Sequence, residues 1–139
     1  MVVLATACPI IPGETHGSIL LSRRPLSLWG GIDPQTGEII DHRHDRFGES
    51  VVGRVFVLPS EKGSSTGSAV LLELVRIGKG PAAIITRYPS PILALGSIIA
   101  RELYDVVLPV LRVSEDGFSS LSDGAAIHIT ADGNICSAE

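Results

Sequence analysis

The stretch VVGRVFVLPSEKGSSTGSAVLLELVRIGKGPAAIIT, residues 51–86, decides the fold. Val51 to Leu58 is rich in β-branched residues and closed by Pro59, the pattern of a strand. Pro59 to Ser68 is a loop of small residues. It runs straight into a helical pattern, with Val70, Leu71, Leu74, Val75 and Ile77 on one face and Gly78 as the stop. Pro81 to Thr86 is nearly all apolar, which predicts a strand buried on both faces. Strand, loop, helix and strand in this order describe a unit in which a helix covers a sheet.

Working outward, Ser90-Pro91 supplies an N-cap and a proline at the first helical position, which predicts a helix to about Tyr104. Pro109 to Val113 reads as a further strand, and Ala125 to Ala138 as a hairpin turning at Asp132-Gly133. On the N-terminal side, Ser18 to Leu28 reads as strand, turn, strand, with Arg23-Arg24-Pro25 at the turn. Gly30 to Asp45 is loop-like, with turn signals at Asp33-Pro34 and Thr36-Gly37. The expectation is an α+β fold, a compact β core closing on itself with two helices. With no internal repeat and no linker, residues 1–139 are expected to form a single domain.

Composition narrows the function. The chain has 139 residues, a formal net charge of −4 and 4% aromatics, and its basic residues are scattered. Neither a nucleic-acid footprint nor a stacking surface is expected from such a sequence. No apolar run reaches the roughly 18 residues that span a bilayer, and the N-terminus lacks the features of a signal peptide, so the expected location is the cytoplasm. Cys8 and Cys136 are far apart with no CxxC spacing. Two free thiols are expected, and no metal held by this chain.

The loop Gly63-Ser64-Ser65-Thr66-Gly67-Ser68 is the candidate for chemistry. A Gly/Ser loop between a strand and a helix start leaves backbone N–H groups converging on one spot, with the helix dipole behind them. That arrangement suits a carboxylate or phosphate, and one of its hydroxyls can move a proton if its alkoxide is stabilised. Equally, Ser and Thr in such a place cap the helix and satisfy the turn. The loop is not a P-loop, because Lys62 precedes the glycine and no GK[ST] follows. His42 and His44, flanked by Asp41 and Asp45, would face the same side of a strand, but no third ligand has clear spacing. Lys62, Arg76, Lys79 and Arg87 read as solvated surface charges.

Several motifs together resemble one family. Pro25-Leu-Ser-Leu-Trp-Gly-Gly-Ile-Asp-Pro-Gln-Thr-Gly37 is similar to the PLSFWGGVDPxTG signature of the small subunit of aconitase X proteins. Ile39 to His44, Gly48 to Ser50, the loop from Lys62 to Ser68 and the run from Gly78 to Tyr104 also resemble that family, in the same order. The departures are small: Leu28 stands where Phe is common, Asp45 where Pro is, and Lys62 where Arg is. The resemblance weakens only after Pro109.

The resemblance implies a swivelling β/β/α domain that works with a large aconitase X subunit. It also implies a hydro-lyase active only in that complex, with an iron or iron–sulfur cluster held by the large subunit and none bound by this chain alone. Carried over by motif position, Ser64 is the base that takes the proton next to the substrate carboxylate. Ser65, Thr66, Gly63 and Gly31 are the expected substrate contacts. The segment from Gly30 to His44 is expected to face the large subunit or the substrate cleft. Family substrates are cis-3-hydroxy-L-proline, dehydrated to pyrroline-2-carboxylate, and phosphomevalonate. The first is expected here, because the catalytic loop offers only Lys62, with Glu61 beside it to offset the charge a phosphate would need. The rival from another class is a non-catalytic binding module on the same fold.

Overall fold

The computed structural model describes residues 2–63 and 65–138. Eight strands and three helices follow one another as β1 (Val3–Thr6), β2 (Cys8–Ile11), β3 (Thr15–Leu21), β4 (Val55–Leu58), α1 (Gly67–Arg76), β5 (Ala83–Thr86), α2 (Pro91–Tyr104), β6 (Val110–Arg112), α3 (Glu115–Ser119), β7 (Ala126–Ile129) and β8 (Asn134–Ser137). The strands lie in the order β1-β8-β7-β3-β4-β5-β6-β2. The β3-β4-β5-β6 pairs are parallel and the outer pairs antiparallel.

β3 is the seam. Its first half, Thr15–Ser18, pairs with β7, and its second half, Ile19–Leu21, pairs with β4. The two edge strands β1 and β2 are separated in sequence only by Ala7, whose N–H donates to the Gly133 carbonyl at 2.8 Å. The sheet therefore curls back on itself, as the sequence suggests, and leaves neither edge far from the other.

Alternation along the central strands feeds two cores. Val55 and Val57 of β4, with Ala83 and Ile85 of β5, enter a cluster with Ile19, Ile127, Ile129 and Ile135. Their neighbours Phe56, Leu58 and Ile84 point the other way, onto Val70, Leu71 and Leu74 of α1 and Leu93 and Ala100 of α2. Every residue of β4 and β5 is buried, so continuous apolar runs form these strands. α1 and α2 pack closely because Gly96 faces α1. A Cβ there would lie 3.1 Å from a Leu71 methyl and 3.4 Å from the Ser68 carbonyl.

Both long helices sit where the sequence puts them, and α2 has the expected bounds. Three differences have physical causes. The strand expected over Val51–Leu58 begins only at Val55, because Gly53 takes a left-handed turn (φ 66°). After β3 the chain turns at residues 22–24, and only Leu26 makes a ladder contact, a parallel bridge to Glu61. Among the described residues there are three helices, not two. The extra one, α3, is five residues long, too short for a periodic pattern, and is started by the Ser114 side chain accepting from the Gly117 N–H.

Candidate active site

Three segments meet at one place on the surface. Residues 22–31 leave β3, residues 39–50 form a turn-rich excursion, and residues 59–66 lead from β4 into α1. The first and third are stitched together by main chain: Leu26 N–H donates to the Ser60 carbonyl and Lys62 N–H to the Leu26 carbonyl. Where the three meet opens a cleft of about 750 Å³, with Arg24, Gly30, Asp41, His42, Arg43 and Lys62 in its walls.

The wall formed by residues 22–48 is anchored by a buried polar cluster. Ser22 is fully buried and His44 is 6% exposed, so their polar atoms need internal partners. Arg46 N–H donates to His44 Nδ1 at 3.1 Å, which fixes the remaining ring proton on Nε2. That nitrogen lies 2.8 Å from Ser22 Oγ and 3.1 Å from the Arg24 carbonyl. Ser22 Oγ–H has two acceptors at 2.8 Å, Asp45 Oδ1 and the Arg24 carbonyl. The set resembles a Ser-His-Asp triad only in composition. With Nδ1 accepting from Arg46 N–H, the imidazole donates to Ser22 Oγ instead of taking its proton, so the cluster positions the loop and activates no nucleophile.

Asp45 is held below the ordinary carboxyl value. Burial alone would raise it, but hydrogen bonds from Arg23 N–H and Ser22 and the nearby His44 outweigh that cost. His42, by contrast, is exposed and stacks on Phe47 at 4.3 Å. The segment is a run of turns, so the two imidazoles do not share a face as a strand would require. Among the described residues no group of three metal-ligating side chains comes together. Cys8 on β2 is exposed and Cys136 on β8 is buried, both as free thiols. These residues do not fit an iron–sulfur cluster.

Facing that wall is Lys62, which leads into the Gly/Ser loop. Gly63 is left-handed (φ 93°), and Ser65 and Thr66 are exposed. Ser64 lies outside the described residues. Thr66 already has helical dihedrals (φ −69°, ψ −10°), and its carbonyl accepts from Ala69 and Val70 N–H, so the helix start lies inside the loop. The Thr66 side chain makes no capping hydrogen bond to the helix. Ser65 offers its carbonyl to the Ser68 hydroxyl at 2.9 Å.

Glu61 and Lys62 part company at the base of this loop. Lys62 enters the cleft wall. Glu61 turns inward, takes a hydrogen bond from Leu28 N–H, and leaves Oε1 buried without a partner against Gly67. Burial raises its carboxyl above the ordinary value, and the Leu28 N–H only partly offsets that. Glu61 therefore does not sit with Lys62 to neutralise it.

Gly31 is placed differently from the other candidate contacts. It is buried, its N–H donates to the Leu28 carbonyl and its carbonyl accepts from Ile40 N–H. A Cβ there would fall 2.0 Å from the Ser27 carbonyl oxygen and 2.8 Å from Leu26 Cδ1. Its glycine is explained by packing. The sequence reasoning missed Arg24 and Arg43, which lie on separate segments and join Lys62 only through the fold.

A curled mixed sheet with two covering helices, and a Gly/Ser loop before a helix beside a basic cleft, define a swivel-type β/β/α domain. Residues 5–137 match the family model described as the aconitase X swivel domain, and the chain belongs to that family. It is 39% identical over 127 residues to the phosphomevalonate dehydratase small subunit of Methanothermobacter thermautotrophicus, covering 90% of this chain and 92% of that one. It is 44% identical over 106 residues to the cis-3-hydroxy-L-proline dehydratase of Pseudomonas aeruginosa, covering 76% of this chain but 18% of that protein. The chain thus spans about a fifth of the length of two cis-3-hydroxy-L-proline dehydratases it matches. The crystal structure of Thermococcus kodakaraensis aconitase X in its holo form superposes with a TM-score of 0.86 at 34% identity, covering 97% of this chain and 98% of that one. No helix among the described residues is long and apolar enough to cross a membrane.

Proposed function

We propose that this chain is the swivelling small subunit of an aconitase X-type hydro-lyase, with Ser64 as the base and a large subunit completing the site. The observation that carries the reading is the loop itself. Lys62 lies in the cleft wall, Gly63 beside it is left-handed, and Thr66 already has the dihedrals of the first turn of α1. In the reaction, Ser64 as alkoxide takes the proton from the carbon next to the carboxylate. The C–H electrons form the double bond, and the hydroxyl on the neighbouring carbon departs, leaving as water once protonated. A serine of ordinary acidity is a poor base. Its alkoxide needs the N–H groups of the helix start and a cleft dried by the partner subunit. In this reading Ser65, Thr66 and Gly63 hold the substrate, while Gly31 keeps the wall of residues 22–48 packed. The iron centre belongs to the large subunit in this reading, and the work is done in the cytoplasm.

Cis-3-hydroxy-L-proline is the substrate suggested by the small positive charge of the loop alone. Phosphomevalonate is the second reading, favoured by Arg24 and Arg43 beside Lys62 and by Glu61 turning away from it. The decisive experiment is Ser64→Ala in the complex reconstituted with its large subunit. Turnover should fall on the order of a thousandfold or more while folding and assembly persist. A variant complex that keeps most of its kcat would leave Ser64 as a loop residue and favour a non-catalytic role for the domain.

A further inference from the structure

We infer that the groove between α2 and the edge strand β2 seats an apolar segment of the large subunit, one of whose acidic side chains meets Arg112. The identity of the partner rests on the proposed small-subunit reading, whereas the surface comes from the fold.

The two long helices differ in what they show to solvent. α1 buries Val70, Leu71, Leu74 and Val75 and carries the Glu73–Arg76 ion pair outside. α2 is apolar on both sides over its first two turns. Leu93 and Gly96 are buried inward, while Leu95 (47% exposed) and Ile98 (41% exposed) stand one turn apart on the outer side. A surface helix carries polar side chains toward water, and one that is apolar all round is a covered helix. Ile10 on β2 is as exposed as Leu95, at 47%. A register shift between Pro9 and Ile11 leaves it without a partner on β6. Between helix and strand lies a groove of about 370 Å³, lined among others by Ile10, Thr86, Pro91, Leu95, Ile98 and Arg112. Single exposed apolar side chains are ordinary, but three that converge on one concavity mark a contact site.

The groove begins where the proposed catalytic loop begins. Thr86 pairs with Leu58 on β4 and with Arg112 on β6, so its head lies at the same carboxyl edge of the parallel strands from which the loop departs. The chain before α2 is bonded to the start of that loop. Arg87 and Tyr88 N–H both donate to the Pro59 carbonyl, and Ser90 Oγ accepts from Glu61 N–H at 3.2 Å. A body laid over the cleft therefore meets the first turn of α2 as well. In two relatives this domain is about a fifth of one chain, so there it is joined to a much larger body. The match covers 92% of the Methanothermobacter thermautotrophicus small subunit, which leaves little chain for such a joint, and packed surface has to take its place. Among the described residues lining the groove only Arg112 is charged. Covering a guanidinium is unfavourable unless it is paired, and a carboxylate is its best acceptor. An apolar segment with one acidic side chain satisfies both the groove and its head.

The test is assembly of the full chain with its large subunit, followed by titration and by methyl NMR. In the native complex the methyl signals of Ile10, Leu95 and Ile98 should shift. Leu95→Glu and Ile98→Glu place a charge in the groove and should each weaken assembly by roughly tenfold or more, and Arg112→Glu should do likewise. Methyl signals that stay in place, or native affinity in all three variants, would overturn the seat. So would a lone chain that pairs with itself and loses that pairing with Leu95→Glu while still assembling with the large subunit, because the groove would then belong to a second copy. Turnover separates the seat from the dehydratase reading. A complex that assembles through α2 but dehydrates no hydroxy acid sinks that reading and leaves the seat standing. Normal turnover at native affinity with Leu95→Glu and Ile98→Glu in place does the reverse.

Discussion

The two walls of the cleft are built on opposite plans. Residues 22–48 contain no regular element, yet they send Leu26, Leu28, Ile32 and Ile39 into the helix-side core and bury Ser22 and His44 as a bonded pair. Residues 59–66 are half-buried or exposed wherever described, and their fixed points are main-chain bonds to Leu26 and the first turn of α1. The first wall is a piece of core that happens to lack repeating structure. The second is a surface loop whose register comes from the strand before it and the helix after it. The difference teaches that irregular backbone can be as determined as a helix when apolar side chains and buried polar groups tie it down.

The contrast predicts different costs for the same change on each wall. Gly31→Ala should be the most damaging, because its Cβ meets a carbonyl oxygen at 2.0 Å with neighbours that are buried. We expect a loss of about 3 kcal/mol, read from the denaturation midpoint of the purified chain. Gly63→Ala meets only Ser27 Oγ at 3.9 Å, so its cost is the left-handed backbone alone, about 1–2 kcal/mol. If both cost the same, the first wall is not packed as a core.

Between those extremes comes Ser22→Ala. It strips partners from His44, Asp45 and Arg24 N–H at once. A loss of about 1–3 kcal/mol is expected, the usual cost of leaving buried polar groups unpaired. A variant with native stability would show that the cluster anchors nothing.

What the sequence made legible follows the range of the forces involved. Periodicity, Pro91 at the helix start and Gly78 are local, and so α1 and α2 were readable at their proper places, although the Ser90 side chain makes no capping bond. The hairpin turning at Asp132-Gly133 was readable for the same reason. β1 and β2 were not, because four-residue strands that pair with β8 and β6 at opposite ends of the chain have no local signature. At the cleft, Lys62 was visible beside Gly63, but Arg24 and Arg43 reach it only after three segments converge. Treating Glu61 as a counter-charge to Lys62 failed for a simpler reason. The Leu26 bridge extends the chain at Glu61, and neighbouring side chains on extended backbone point to opposite sides.

The smallest expected effects concern pH, and here the two walls should differ in sign. Asp45 on the first wall has a lowered carboxyl, despite burial, through the Arg23 N–H, Ser22 and His44 contacts. Its contribution to stability is therefore fully present above the ordinary value of 3.8 and is lost as pH falls through its folded value. Glu61 on the second wall is raised by burial, with Leu28 N–H opposing. The folded state then holds the proton more tightly than the unfolded chain does. Its effect is to remove stability as pH rises from the ordinary 4.5 through the raised value. Thermal unfolding of the chain between about pH 3 and 7 should separate the two. Asp45→Asn should flatten the acid side of the profile, and Glu61→Gln should flatten the decline on the other side while keeping an oxygen for Leu28 N–H. Matching profiles for the two variants would mean that both carboxylates sense the same solvent, and that the second wall is no more able than the first to bury a charge without a partner.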